Sequence, residues 1–223
     1  MIKVVIQEAN EYIDIDKQTS CLIVLENKNY FYKALTNLEN DYLDDSLLKV
    51  VDENYKRIKL IDYGDVILNL FSMDVNNKRN LNVVFKQIKL LFKDELFYNL
   101  TSIKESLNDC FGKIKIDYNL DLINDIDVVE DDLIKMLNLK IKDESKSLLE
   151  KIMIYIKTAI ELRKVKFFIF ISLSTYLEED EIKLLLKNCQ LFDVSIINIE
   201  SQKPDFTNFD KKIIIDKDIC LLK

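Results

Sequence analysis

Continuous apolar runs lie near both ends of the chain and predict β-strands. Because these runs do not alternate with polar residues, they are typical of strands that are covered on both faces, as in a parallel sheet. A shorter run at Lys49–Val51 predicts one more strand. The four longer runs are Cys21–Leu25, Arg57–Ile61, Phe167–Ile171 and Val194–Ile199.

The segment Leu177–Leu191, between the last two runs, has the spacing of an amphipathic helix, and four consecutive acids, Glu178 to Glu181, stand near its start. Acidic side chains favour a helix N-terminus through the helix dipole, so these segments predict a strand–helix–strand unit. Residues 30–38 have the same helical spacing after the run Cys21–Leu25. We therefore expect an α/β fold in which both ends of the chain build one mainly parallel sheet with helices on its faces.

The middle of the chain has helical periodicity instead. Three segments, at 81–92, 96–111 and 148–160, carry their apolar residues on one helical face. The 223 residues include only two glycines and one proline, which favours long helices joined by short connections. We predict an α/β head domain at 1–62 and 163–223, and an inserted helical leg domain at 63–162.

The composition excludes the commonest catalytic sites. The chain has no histidine, which removes Ser–His and Cys–His pairs and imidazole metal ligands. The turn Glu26–Tyr30, after the first long run, contains no glycine, whereas a phosphate-binding loop uses glycines to bring backbone amides close to the phosphates. We therefore expect a protein that is not an enzyme, has no catalytic residues and binds no nucleotide.

The four cysteines lie far apart and form no C-x-x-C pair, which indicates buried apolar side chains in a reducing compartment. The N-terminal apolar run is too short for a secretion signal, and no apolar stretch approaches the ~18 residues that a membrane span requires. We expect a cytoplasmic protein with no membrane partner.

The most uneven charge lies between Ile116 and Leu133, where acids occur without a single lysine or arginine. Two interpretations stay open. The acids are either the solvated start of a helix before Leu133, or a cluster whose repulsion a hard cation such as calcium relieves. The acids are Asp117, Asp121, Asp125, Asp127, Glu130, Asp131 and Asp132.

Basic residues follow this acidic stretch, and they also allow two interpretations. They form either a solvated face with ordinary ion pairs or a stripe that follows DNA phosphates without reading the base sequence. Because the net charge of the chain is −7, any DNA site has to be a local patch. The lysines concerned are Lys135, Lys140, Lys142, Lys146 and Lys151.

Three sets of segments, in an order and spacing that extend over nearly the whole chain, match a known family. They are Val66–Asn77, Leu120–Leu122 with Asp125 ahead of Leu133–Lys135, and Lys166–Phe170 running into Leu177–Glu181. Through these segments the chain resembles the accessory adaptation proteins of type II-A CRISPR systems, a ring-forming, DNA-end-binding family encoded beside the effector nuclease.

The resemblance implies a head related to nucleotide-binding ATPase folds without their phosphate motifs, a helical leg, and a homotetrameric ring around double-stranded DNA ends. It also implies calcium ions near the head–leg junction, with Asp121 and Asp125 as the best-matching ligands. Ile123 and Ile126 stand where further acids are expected, so Asp127 and Glu130 are the candidates for the missing ligands.

For DNA, Lys135 matches the family best and Lys140 next, while Lys142, Lys146 and Lys151 are included because they lie on the same stretch. The expected function is non-catalytic support of CRISPR spacer acquisition, with the integrase complex and the effector nuclease as protein partners. The alternative is a scaffold for these two partners that does not contact DNA.

Overall fold

A computed structural model describes residues 2–6, 11–17, 19–39, 48–117, 122–206 and 208–222. The chain divides into two compact units, 1–75 with 143–223 and 76–142. We call the first the sheet unit and the second the helical unit. In chain order the elements are β1 (Lys3–Ile6), β2 (Glu11–Asp14), β3 (Ser20–Leu25), α1 (Lys28–Glu39), β4 (Leu48–Val51), β5 (Gly64–Ile67), α2 (Lys78–Leu91), α3 (Lys93–Asp117), α4 (Glu130–Met136), α5 (Leu148–Arg163), β6 (Phe167–Ile171), α6 (Leu173–Tyr176), α7 (Glu179–Leu191), β7 (Ser195–Glu200), β8 (Lys211–Ile215) and β9 (Leu221–Leu222).

Among the described residues, the main sheet of the sheet unit has six strands in the order β5-β6-β7-β3-β8-β9. All neighbouring pairs are parallel except β8 and β9, so the sheet is mixed but mostly parallel. Strands from both ends of the chain build it, which confirms the prediction of an α/β fold. The predicted strand–helix–strand unit is also confirmed, because β6 and β7 pair in parallel on either side of α7 in the sequence.

The prediction of a single sheet is wrong for the strand at Lys49–Val51. That strand is β4, and it pairs antiparallel with β1 in a separate three-stranded sheet of order β2-β1-β4. The side chain of Lys49 is half-exposed between the buried Leu48 and Val50. Such alternation is typical of an antiparallel strand with one covered face, which a short apolar run conceals in the sequence.

The prediction of a strand at Arg57–Ile61 is also wrong. Only Arg57 forms an isolated bridge, and Leu60–Asp62 is a turn of 3-10 helix. The strand at this edge is β5, whose Gly64 pairs with Phe167 of β6. A side chain at Gly64 would collide with the Phe167 ring. Glycine is generally unfavourable within a strand, but here its lack of a side chain allows β5 to approach β6.

In the helical unit, the described helices are α2, α3 and α4. The helices predicted from the periodicity at 81–92 and 96–111 are confirmed as α2 and α3. The side-chain amide oxygen of Asn77 caps α2 by accepting from the Asn80 backbone N–H at 3.1 Å. The small apolar core buries Leu96, Leu133 and Ile134, with partly buried Phe85, Ile88, Leu100 and Ile103 around them.

The helix predicted at 148–160 is confirmed as α5, but α5 belongs to the sheet unit. The predicted leg of 63–162 is therefore wider than the helical unit of 76–142. Buried polar contacts give the reason. The carboxylate of Asp65 in β5 accepts from the Tyr155 hydroxyl at 2.6 Å and forms an ion pair with Arg163 at 2.5 Å, which ties the middle and the C-terminal end of α5 to the main sheet.

No helix among the described residues is long and apolar enough to cross a membrane.

Candidate nucleic-acid interface

A cavity of about 400 Å³ lies within the helical unit, and three lysines line it. Lys86 and Lys89 come from α2, and Lys135 comes from α4. We call this feature the basic cavity. Its remaining lining residues are Asn82, Phe85, Asp131 and Ile134.

Local structure explains why these lysines share one cavity. Lys86 and Lys89 are three residues apart on a helix, so their side chains lie on the same face of α2. Lys135 directly follows Ile134, which is 1% exposed and anchors α4 in the core of the unit. The apolar residues thus hold α2 and α4 together and leave the lysines at the rim.

The ion pairs at the basic cavity leave an excess of positive charge. Lys89 contacts Asp131 at 2.5 Å, and this hydrogen bond raises the pKa of Lys89 and lowers the pKa of Asp131. Lys135 lies 3.6 Å from Asp132, while Lys86 forms no ion pair with the described residues. The carboxylates of Asp131 and Asp132 thus pair with two of the three ammonium groups, and the charge of Lys86 is the local excess that an acidic protein can offer to a phosphate.

Lys140 and Lys142 are exposed and also belong to the helical unit. The backbone between them is fixed by Asn76, whose amide group donates to the Ile141 carbonyl at 3.0 Å and accepts from the Ile141 N–H at 2.7 Å. These two hydrogen bonds hold the segment that carries both lysines against the start of the unit.

The two other predicted DNA-binding lysines lie in the sheet unit. Lys146 is exposed, and its backbone N–H donates to the carboxylate of Glu150 at 2.6 Å. The ammonium group of Lys151 donates to the Phe71 carbonyl at 3.0 Å, so its charge already satisfies a backbone group of the same unit. Lys151 is therefore the least suited of the five to hold a phosphate.

Sequence reasoning missed Lys86 and Lys89. The signal was present, because both lie within the periodic segment 81–92 at a spacing that places them on one face. The basic stretch after Leu133 is the denser one in the sequence, and only the packing of α4 beside α2 shows that Lys135 belongs with these earlier lysines.

The predicted metal ligands are only partly covered, because Asp121 lies outside the described residues. Asp125 and Asp127 are exposed, and Glu130 is the first residue of α4. Within the described ranges, there is no group of three or more acidic or cysteine side chains that could hold a metal ion. The described carboxylates therefore do not by themselves fit a calcium site.

The neighbouring acids already have protein partners. Asp131 pairs with Lys89, and the carboxylate of Asp132 accepts from the Val129 backbone N–H at 3.0 Å at the start of α4. The Asp132 contact satisfies a free amide at the helix start, and both carboxylates complement the helix dipole there. The helix-start interpretation thus accounts for Asp131 and Asp132.

Comparison with known proteins identifies a class of CRISPR-associated proteins. The sequence model of the family described as CRISPR-associated protein (Cas_Csn2) matches residues 41–219. This match spans well over half of the chain, and the chain belongs to the Cas_Csn2 family.

Two relatives, each named CRISPR-associated protein Csn2, match most of the chain. The relative from Enterococcus faecalis is 26% identical over 194 residues, which cover 86% of this chain and 86% of the relative. The relative from Streptococcus agalactiae is 25% identical over 195 residues, which cover 86% and 85%.

Among solved structures, the fold is similar to that titled "Crystal structure of Stu0660 of Streptococcus thermophilus". The TM-score is 0.59 at 14% identity, over 99% of this chain and 76% of the other. At this identity the likeness concerns the fold alone.

Proposed function

We propose that this protein binds double-stranded DNA ends without sequence preference and without catalysis, in support of CRISPR spacer acquisition in the cytoplasm. The observation that carries the proposal is the basic cavity, in which Lys86, Lys89 and Lys135 come together and outnumber their partners Asp131 and Asp132, in a chain of net charge −7. Membership of a CRISPR-associated family supports the biological setting.

In the proposed mechanism, phosphate contacts hold the duplex while the base edges stay unread. Lys140 and Lys142 extend the positive charge of the helical unit beyond the basic cavity. Ammonium groups that replace condensed counterions make the affinity strongly dependent on salt, and an interface with six or more phosphate contacts loses about 10³-fold or more over a fourfold rise in salt.

The proposal includes a homotetrameric ring with the helical unit as its leg. Exposed apolar residues at the junction of α2 and α3 support association through this unit, since monomeric proteins rarely leave such clusters in water. Leu90 alone is 82% exposed. The cluster consists of Leu90, Leu91, Phe92, Phe97 and Tyr98.

The proposal also relates the sheet unit to nucleotide-binding ATPase folds. The parallel strands of the main sheet and the helix that follows β3 support this relation.

Calcium is part of the proposal through the family resemblance only, and no step depends on it. Adding a chelator to the protein and measuring sedimentation and DNA affinity tests the cation, and indifference of both would remove calcium from the proposal.

The experiment that tests the DNA interface is a binding titration with two charge-matched variants. Replacing Lys86 and Lys135 by Gln should weaken duplex binding roughly tenfold or more, and the salt slope should fall by about one for each phosphate that is no longer neutralised. The control variant replaces Lys93 and Lys113 by Gln. Both lysines are exposed on α3 and do not line the basic cavity. Equal affinities of the two variants would contradict the proposed interface.

The alternative function is a scaffold for the integrase complex and the effector nuclease that does not contact DNA. The exposed apolar cluster at the α2–α3 junction favours it, because apolar surface is what protein partners bury. A scaffold would bind no duplex even at low salt, and Leu90→Ser with Phe97→Ser would abolish partner capture. Under the DNA-binding proposal, wild-type protein binds the duplex in the absence of both partners.

A further inference from the structure

A second lysine-lined cavity, of about 850 Å³, lies within the sheet unit and has no part in the proposed DNA interface. Its volume is within the roughly 300–1,000 Å³ that is typical of small-molecule sites. We call it the carboxyl-edge cleft. Its basic residues are Lys28, Lys203 and Lys217, and Glu26, Phe31 and Ser201 also line it.

The topology explains why these residues meet. Strand β3 pairs in parallel with β7 on one side and with β8 on the other, so the three strands end at the same edge of the sheet. Lys28, Lys203 and Lys217 each follow the end of one of these strands, although they are far apart in the sequence. In α/β sheets this edge is where ligands bind, outside the carboxyl ends of the strands.

Hydrogen bonds fix the loops that form the cleft. The side chain of Asn27 accepts from the Tyr30 N–H at 3.0 Å, which caps α1, and donates to the Lys217 carbonyl at 2.8 Å. The Glu26 N–H donates to the Ile215 carbonyl at 2.9 Å. The only proline of the chain, Pro204, restricts the backbone of Lys203 before it to extended conformations. The loops after β3 and β8 are thereby joined to each other, and the loop after β7 is restricted at Lys203, before any ligand arrives.

The charges of the carboxyl-edge cleft favour an anion. Three lysines oppose one lining carboxylate, that of Glu26, and none of the three forms an ion pair with the described residues. All three are exposed, so their ammonium groups are available to a ligand. The first turn of α1, which opens onto the cleft, contains no acid and presents the positive end of its dipole.

We propose that the carboxyl-edge cleft binds a ligand that carries two or more phosphate groups, held by the side chains of Lys28, Lys203 and Lys217. The contacts differ from those of a phosphate-binding loop, because ammonium groups replace the glycine-rich backbone cradle that Glu26–Tyr30 lacks. This inference goes beyond the DNA interface of the helical unit, and it departs from the sequence expectation that no nucleotide binds.

Tripolyphosphate is the probe for the first experiment, titrated into the full-length protein at low salt in a calorimeter. Replacing Lys28, Lys203 and Lys217 by Gln should weaken binding by about tenfold or more, because it removes the charge-assisted hydrogen bonds to the phosphates. The matched control replaces Lys33, Lys187 and Lys212, which are exposed in the same unit and do not line the cleft. The control should bind within about twofold of wild type.

The proposal is overturned if wild-type protein does not bind tripolyphosphate or if the two triple variants bind it equally. Lys86→Gln with Lys135→Gln should leave tripolyphosphate binding unchanged, so a failure here is distinguishable from a failure of the DNA interface.

Competition then identifies the source of the phosphates. Displacement by a 5′-triphosphorylated oligonucleotide, and not by the same oligonucleotide with a hydroxyl end, assigns the site to strand ends. If neither oligonucleotide displaces tripolyphosphate and a nucleoside triphosphate does, the cleft is assigned to a free nucleotide. Equal displacement by both oligonucleotides would indicate a general polyanion surface and would overturn the proposal.

Discussion

The two units of the chain differ sharply in how they bury apolar residues. In the sheet unit, every residue of β3, β6 and β7 is buried, and three phenylalanines of β6 are fully enclosed. In the helical unit, the 25-residue α3 buries only Leu96 among the residues whose side chains are described. The sheet unit therefore supplies its own stability, whereas the helical unit keeps apolar and basic side chains available for contacts outside the chain.

This difference indicates a division of roles. A unit with a dense core tolerates few substitutions and gives the fold its rigidity. A unit with a small core and exposed lysines and apolar residues is suited to binding, because the groups that would complete it come from a partner. Matched substitutions in the two units should therefore lower the free energy of unfolding by different amounts.

The largest effect is expected in the core of the main sheet. Phe168 is 0% exposed and stacks on Phe170 with ring centroids 6.1 Å apart. Phe168→Ala should lower the free energy of unfolding by about 3–5 kcal/mol, because it leaves a cavity that the sheet cannot close. Urea denaturation followed by circular dichroism measures this. The control is Phe97→Ala at an exposed site in α3, and equal losses for the two variants would remove the contrast between the units.

The next largest effect is expected where α5 is joined to the main sheet. Asp65→Asn removes the charge that holds Arg163 and should lower the free energy of unfolding by about 3 kcal/mol, since both side chains are largely buried. Tyr155→Phe removes one hydrogen bond from the same carboxylate and should cost only about 1 kcal/mol. The same urea assay compares them. A loss for Asp65→Asn no larger than that for Tyr155→Phe would mean that the ion pair does not anchor α5.

In the helical unit the effect should be smaller and local. Ile134→Ala should destabilise this unit by about 2–3 kcal/mol, because its small core can relax around the missing methyl groups. Hydrogen exchange measured by mass spectrometry should show faster exchange in α2, α3 and α4 and unchanged protection in β6 and β7. Met136→Ala, at an exposed position of the same helix, is the control. Loss of protection throughout the chain would show that the units do not unfold separately.

The smallest expected effect is a difference in alkylation between the buried and the exposed cysteines. Burial raises the pKa of Cys21 and of Cys189 to about 12, so at pH 8 both stay protonated and enclosed and should resist alkylation. Cys110 and Cys220 are exposed, so the prediction that all four cysteines are buried is wrong for these two, and both should react. Peptide mapping after iodoacetamide treatment of native protein measures each site. Rapid labelling of Cys21 would mean that the main sheet opens readily, which would contradict a dense and rigid core in the sheet unit.

The sequence predicted those elements whose periodicity and packing agree. The runs that became β3, β6 and β7 are apolar throughout because both sheet faces are covered, and α2, α3, α5 and α7 have clear helical spacing. The misassigned elements are those where tertiary contacts decide. Gly64 suits a strand only beside Phe167, and β4 joins a second sheet because its partner is β1.

The candidate site shows the same limit. Lys135 was identified from its place in the sequence, but Lys86 and Lys89 join it only because α4 packs on α2. The lysines of the carboxyl-edge cleft are up to 189 positions apart, from Lys28 to Lys217, and no spacing rule connects them. Asp121 lies outside the described residues, so the acidic ligands remain a prediction.

The most direct test of the proposed function compares linear duplex DNA with covalently closed circular DNA of equal sequence, at two salt concentrations. Binding to the linear form alone, falling steeply with salt, is the predicted result, because a ring with a basic inner surface accepts DNA only at an end. Equal binding to both forms would contradict the recognition of ends, and no binding to either would leave the scaffold as the function.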